Sequence, residues 1–144
     1  MANIYSFTID GRLDCLNDYL KAERVRIRTR TGKITTVGNN LKHKTQEYII
    51  ACIRRDLRKV HIDKPVSIYY CFYEPNKKRD LDNVMSFAMK TIQDSLVLSG
   101  VLNNDGWACI QGISADFRVD AKNPHIVVVL TELDDDLGIN PYQE

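Results

Sequence analysis

The sequence predicts an α/β (α+β) fold, a two-layer single domain in which a mixed β-sheet carries two main helices. Three observations predict it. Short runs with period-two alternation or unbroken apolar character recur along the chain, two longer segments carry apolar residues at helical spacing, and the order of these segments suits one mixed sheet. The 144 residues suffice to bury one core and not two. Residues 1–133 are therefore assigned to one domain, and 134–144 to a polar, acidic, flexible tail.

Ile4 to Ile9 alternates apolar and polar positions among aromatic and branched side chains, which predicts a first strand, and Asp10-Gly11 supplies a turn. Val25 to Arg30 alternates again and, if extended, puts Arg26, Arg28 and Arg30 on one face. Thr31-Gly32-Lys33 then turns into a second extended piece, Ile34 to Val37. From about Thr45 to Val60, Ile49, Ile53, Leu57 and Val60 form one apolar stripe opposite Arg54, Arg55 and Arg58, the pattern of a helix packed on a sheet. Val66 to Tyr73 is nearly continuous in apolar and aromatic residues, as in a central strand buried on both faces. A second helix is predicted from about Asn83 to Ser99, since Val84, Ala88, Ile92 and Leu96 repeat every turn, with Asp82 as N-cap and Gly100 as stop. Strands near Trp107 to Val119 and Ile126 to Leu130 complete the set.

Composition excludes several classes. Hydrophobic residues at 44% and charged residues at 27% are ordinary for a folded chain and argue against wholesale disorder. The longest apolar run, Ile126 to Leu130, is far short of a membrane span, and the start lacks the basic and apolar segments of a secretory signal, so a cytoplasmic protein without membrane partners is expected. Cys15, Cys52, Cys71 and Cys109 are widely separated and sit among apolar neighbours, which suits small buried side chains better than zinc ligands.

A net charge of +1 conceals an asymmetry. From Lys21 to Lys44, eight Lys or Arg residues face one acid, Glu23. More cations follow at Arg54, Arg55, Arg58 and Lys59 and at Lys77, Lys78 and Arg79, whereas Glu132, Asp134, Asp135 and Asp136 place the acidic excess at the end. Any one cluster reads as a solvated face. Three clusters flanking a carboxylate motif favour a polyanionic partner.

That motif is Asp80-Leu81-Asp82-Asn83, between the central strand and the second helix. In extended backbone its two acids project to one side and can share a cation. Hard oxygen donors that leave room for water and phosphate suit Mg²⁺ or Mn²⁺, which activates water and offsets charge on the phosphate. The structural alternative is that Asp82 only caps the helix and Asp80 only pairs with Arg79, and for an isolated Asp-x-Asp it is the better reading. An EF-hand fails, because its sixth and twelfth positions would be Met85 and Thr91 instead of Gly and Glu. Lys77-Lys78-Arg79 immediately before the acids tips the balance, since groups that grip phosphate adjoin groups that hold a phosphate-cleaving ion.

The basic run, Asp-x-Asp-Asn, an amphipathic helix, a Gly and the turn Asn104-Asp105-Gly106-Trp107 together resemble the RusA family of Holliday junction resolvases. Leu16-Asn17-Asp18-Tyr19 resembles the family's amino-terminal Asn/aromatic segment, and the order of elements agrees up to about Leu130. The resemblance implies a homodimeric, Mg²⁺-dependent endodeoxyribonuclease that nicks four-way junctions in recombination and repair, is often encoded by prophages, and needs no small-molecule cofactor. It implies metal ligands at Asp80, Asp82 and Asp105. Family members commonly carry a Lys one turn after the second Asp. Here that place is Ser86, and Lys90, a further turn on and roughly 80° around the helix from Asp82, is the candidate catalytic lysine or a solvated one.

A straight helix from Asn83 to Ser99 spans about 25 Å, so Asp105 starts far from Asp82 in its own chain. Either the loop after Gly100 folds back, or Asp105 comes from the second subunit across antiparallel copies of this helix. Lys77, Lys78 and Arg79 are expected to position the strand, with Arg26, Arg28 and Arg30 lining a groove doubled by symmetry. The remaining alternatives are another branched-DNA or flap nuclease, and a non-catalytic nucleic-acid-binding dimer.

Overall fold

The computed structural model describes residues 3–14 and 16–134. Along the chain run β1 (Ile4–Asp10), α1 (Leu16–Glu23), β2 (Arg26–Arg28), β3 (Ile34–Thr36), α2 (Val37–Leu57), β4 (Val66–Glu74), α3 (Leu81–Leu98), β5 (Ile110–Val119) and β6 (His125–Glu132). Four strands form a mixed sheet in the order β1-β6-β4-β5, and β2 pairs with β3 in a separate hairpin. β6 runs antiparallel to both β1 and β4, whereas β4 and β5 are parallel, joined by the crossover through α3. The described residues thus form one α+β domain with a mixed four-stranded sheet and three helices. Among the described residues, no helix is long and apolar enough to cross a membrane.

Alternation along the strands sorts the core. Phe7 and Ile9 of β1, Ile68, Tyr70 and Phe72 of β4, and Ile126, Val128 and Leu130 of β6 are buried with Ile49, Ile53 and Leu57 of α2 and the predicted α3 stripe, Val84, Ala88, Ile92 and Leu96. Each fully buried side chain of this size contributes about 1.5–3 kcal/mol relative to exposure. β4 is central as predicted, but its burial is complete on one face only, because Ser67, Tyr69 and Tyr73 on the other are half-buried. Cys52 and Cys71 are buried and Cys109 is half-buried; Cys15 lies outside the described residues, as does the tail beyond Asp134.

Several boundaries differ from the sequence reading. Among the described residues the two main helices are accompanied by a short third, because Leu16–Glu23, read only as a motif, forms α1. α2 begins eight residues before Thr45, where Thr36 caps it by accepting the Asn39 N–H at 2.9 Å. α3 begins at Leu81, so the N-cap is Asp80, and Asp82 lies in the first turn. β2 ends at Arg28, which leaves Arg30 in the turn, where Thr29 N–H bonds the Lys33 carbonyl at 2.8 Å, and off the face that Arg26 and Arg28 share. β5 starts at Ile110 instead of Trp107.

Candidate nuclease site at the start of helix α3

The parallel pair β4 and β5 ends beside the start of α3, and a pocket of about 710 Å³ opens there, lined among others by Lys77, Asp80, Leu81 and Arg118. Ligands of sheets with parallel strands collect at such carboxyl ends, next to helix N-termini whose free N–H groups favour anions.

The segment between β4 and α3 is held by its flanks. Arg79 donates to the Leu13 carbonyl at 3.0 Å, pairs with Asp18 at 3.3 Å, and approaches Glu74 at 4.0 Å; Glu74 also pairs with Arg12 at 3.0 Å. Arg79, expected to hold DNA, is therefore committed to protein groups and fastens the turn to the start of α1. Asn83 Oδ1 accepts the Asn17 N–H at 2.9 Å, and Tyr19 stacks on Phe87 with ring centroids 4.9 Å apart. Burial first, and then Glu23, pushes the Tyr19 hydroxyl pKa upward. The start of α1 and the start of α3 thus pack on each other.

Asp80 sits at the N-cap with extended backbone, yet its side chain makes no capping bond, and among the described residues its carboxylate has no hydrogen-bond or ion-pair partner. Pairing with Arg79, the structural alternative, does not occur. Asp82 is exposed, its Oδ1 accepts the N–H of Asn83 at 2.9 Å, and Ser86 Oγ donates to its backbone carbonyl. Because α3 starts at Leu81, Asp80 is its extended N-cap and Asp82 lies in the first helical turn, so the two acids are not in one extended run, and Asp80 lines the pocket whereas Asp82 does not.

Asp105 is placed elsewhere. The loop after Gly100 folds back along α3 far enough for Lys90 Nζ to donate to Asp105 Oδ2 at 3.1 Å, while also pairing with Asp94 at 3.1 Å. Lys90 is eight residues beyond Asp82, about 12 Å of helix rise, so the loop recovers roughly half of the expected separation. The Lys90 hydrogen bond holds the Asp105 carboxyl below its usual range, and Asp105 and then Asp94 raise the Lys90 pKa. The loop itself is clipped: His61 Nδ1 meets the Gly100 carbonyl at 2.6 Å and its Nε2 meets Asp63 at 2.9 Å, Asn103 donates to Asp63 at 3.3 Å, and Ile62 N–H bonds the Val101 carbonyl at 2.8 Å. One chain therefore does not bring Asp80, Asp82 and Asp105 together, and among the described residues no three His, Cys, Asp or Glu side chains are grouped to hold a metal ion.

Of the predicted cations, Lys77 and Lys78 are exposed, with only Lys77 lining the pocket, and Arg26 and Arg28 are exposed on the β2–β3 hairpin. Arg55 is tied to Asp10 and Asp56, which accounts for its strongly raised pKa. Sequence reasoning missed Asp94, whose spacing four residues after Lys90 was a usable signal, and Arg118, for which only the β4–β5 pairing supplies one. No protein-family model matches this chain, and no curated protein matches it.

Proposed function

We propose that this chain is a cytoplasmic, Mg²⁺-dependent DNA endonuclease of the RusA type, with Mn²⁺ as a substitute ion, that resolves four-way junctions as a homodimer. The observation that carries the reading is Asp80: an acid at a helix start, without a partner among the described residues, that shares a pocket with an exposed lysine. An isolated structural aspartate at this position caps its helix, and Asp80 does not.

The donor set fits a hard cation, because both motif acids are exposed and Asp82 commits one oxygen to a single backbone N–H. Asp80 and Asp82 would hold the ion, which supplies water activation and neutralises charge developing on the phosphate. Lys77, Lys78, Arg26 and Arg28 attract and position the strand as phosphate contacts, which carry affinity without sequence information. Arg79 and Asn83 fix the motif against α1 and keep the acids in place. Asp105 completes the site from a second copy, since in its own chain it is turned to Lys90. Two symmetric sites then supply the paired cuts that junction resolution requires.

Nicking of four-way, flap and linear DNA compared at equal concentration with Mg²⁺ and with chelator tests this reading. Metal-dependent paired nicking that favours the four-way junction is expected. Equal cutting of flaps would reassign the substrate, and binding without cutting would leave a nucleic-acid-binding dimer.

A further inference from the structure

The pocket at the end of β5 has an apolar side that phosphate contacts leave unexplained. Leu81 and Val119 remain 56% and 50% exposed at it, and Phe117 lines it. Phe117 is the last member of an aromatic row: its ring stacks on Phe72 at 5.3 Å, and Phe72 stacks on Tyr70 at 6.1 Å. Lys77 and Arg118, both exposed, flank this wall, and Asp80 lies on it too. A volume of about 710 Å³ falls within the roughly 300–1,000 Å³ typical of pockets that enclose small ligands.

We propose that this pocket is a nucleotide subsite, in which one unstacked base of the bound strand lies against Leu81, Phe117 and Val119 while its phosphate meets Lys77 and Arg118. The inference rests on the nuclease reading and deepens it, by making an unpaired nucleotide beside the scissile phosphate part of what is recognised. The chemistry follows from the wall. A heterocycle is flat, apolar on its faces and tolerant of sequence when stacked, so it extends the row Tyr70, Phe72, Phe117 by one ring and covers two half-exposed aliphatic side chains. Extruding a base costs less where its stacking is already interrupted, as at the point of strand exchange in a branched duplex.

A short oligothymidylate carrying one 5-iodouracil, irradiated with the metal-free protein, tests this without any cleavage step. Adducts mapping to Phe117 or its immediate neighbours are expected. Leu81→Asn and Val119→Asn should each weaken binding of this oligonucleotide by at least about five-fold, the lower end for losing one stacked base, and leave binding of an abasic strand of the same length unchanged. Arg118→Ala should weaken both strands equally. Adducts elsewhere, or equal binding of base-bearing and abasic strands by the unaltered protein, would overturn the subsite. Uridine monophosphate bound as tightly as the oligonucleotide would overturn its assignment to a strand. Absent nicking with these binding results intact would instead count against the nuclease reading alone.

Discussion

The backbone N–H of Asn17 donates to Asn83 Oδ1 at 2.9 Å, joining the first helix to the acidic motif across 66 residues of sequence. The last residue of Asp-x-Asp-Asn therefore works as a structural anchor. Asn83→Ala removes this acceptor and should cost about 1 kcal/mol of stability, the net worth of such a bond. Arg79→Ala, which releases the Leu13 carbonyl and Asp18 together, should cost more. Denaturant midpoints of the two variants check the order.

The clip on the loop that carries Asp105 has a pH dependence. The Gly100 carbonyl, and then Asp63, raise the His61 pKa above its ordinary 6.5. A raised folded-state value means that the stabilising contribution is fully present below 6.5 and is lost as pH rises through the folded value. Stability measured from mildly acidic to mildly alkaline pH should fall across that window, and His61→Ala should flatten the change. NMR titration of the imidazole should give a value above 6.5; one below it would contradict the geometry.

Much of the framework was legible in the residues. β4, β6 and the stripe of α3 follow from burial: Val66 to Tyr73 is rich in the aromatic and branched residues of a central strand, and Val84, Ala88, Ile92 and Leu96 recur at helical spacing. The misses share a cause, which is that tertiary contacts outweigh local pattern. α1 has only eight residues and is marginal alone; its contacts with Asn83, Arg79 and Phe87 hold it. The start of α2 contains Gly38, Asn39 and Asn40, poor helix formers without an apolar stripe, and Thr36 was the only local sign. In the site, Asp80 and Lys77, which line one pocket, could be singled out because their charges nearly adjoin in sequence. The commitment of Arg79 to Asp18 and the approach of Arg118 to the pocket, through its pairing with Tyr73, depend on contacts 61 and 45 residues apart, which no local pattern encodes.

Electrostatic attraction of a polyanion should divide the cations by their freedom. Lys77→Ala, Arg26→Ala and Arg28→Ala should each weaken DNA binding and reduce the slope of log affinity against log salt by about one. Arg55→Ala should change stability instead, because that guanidinium is bonded to Asp10, Asp56 and the Thr8 carbonyl. Binding isotherms over a salt series distinguish the two groups.

The proposed sharing of a site between two copies predicts complementation. Asp80→Asn and Asp105→Asn homodimers should each be inactive, and mixing them after subunit exchange should restore one intact centre in the heterodimers. Nicking activity of the mixture is the readout, and no recovery, with exchange verified by mass, would place Asp105 outside the partner's site.

The most direct measurement concerns the carboxylates themselves. Asp80→Asn and Asp82→Asn preserve size and alter charge, so junction affinity without metal should stay within about three-fold, while Mg²⁺-dependent nicking should fall by at least roughly a hundred-fold, the scale of losing an essential electrostatic group. Nicking that survives both substitutions at near the original rate would show that no cation held by these acids does the cutting.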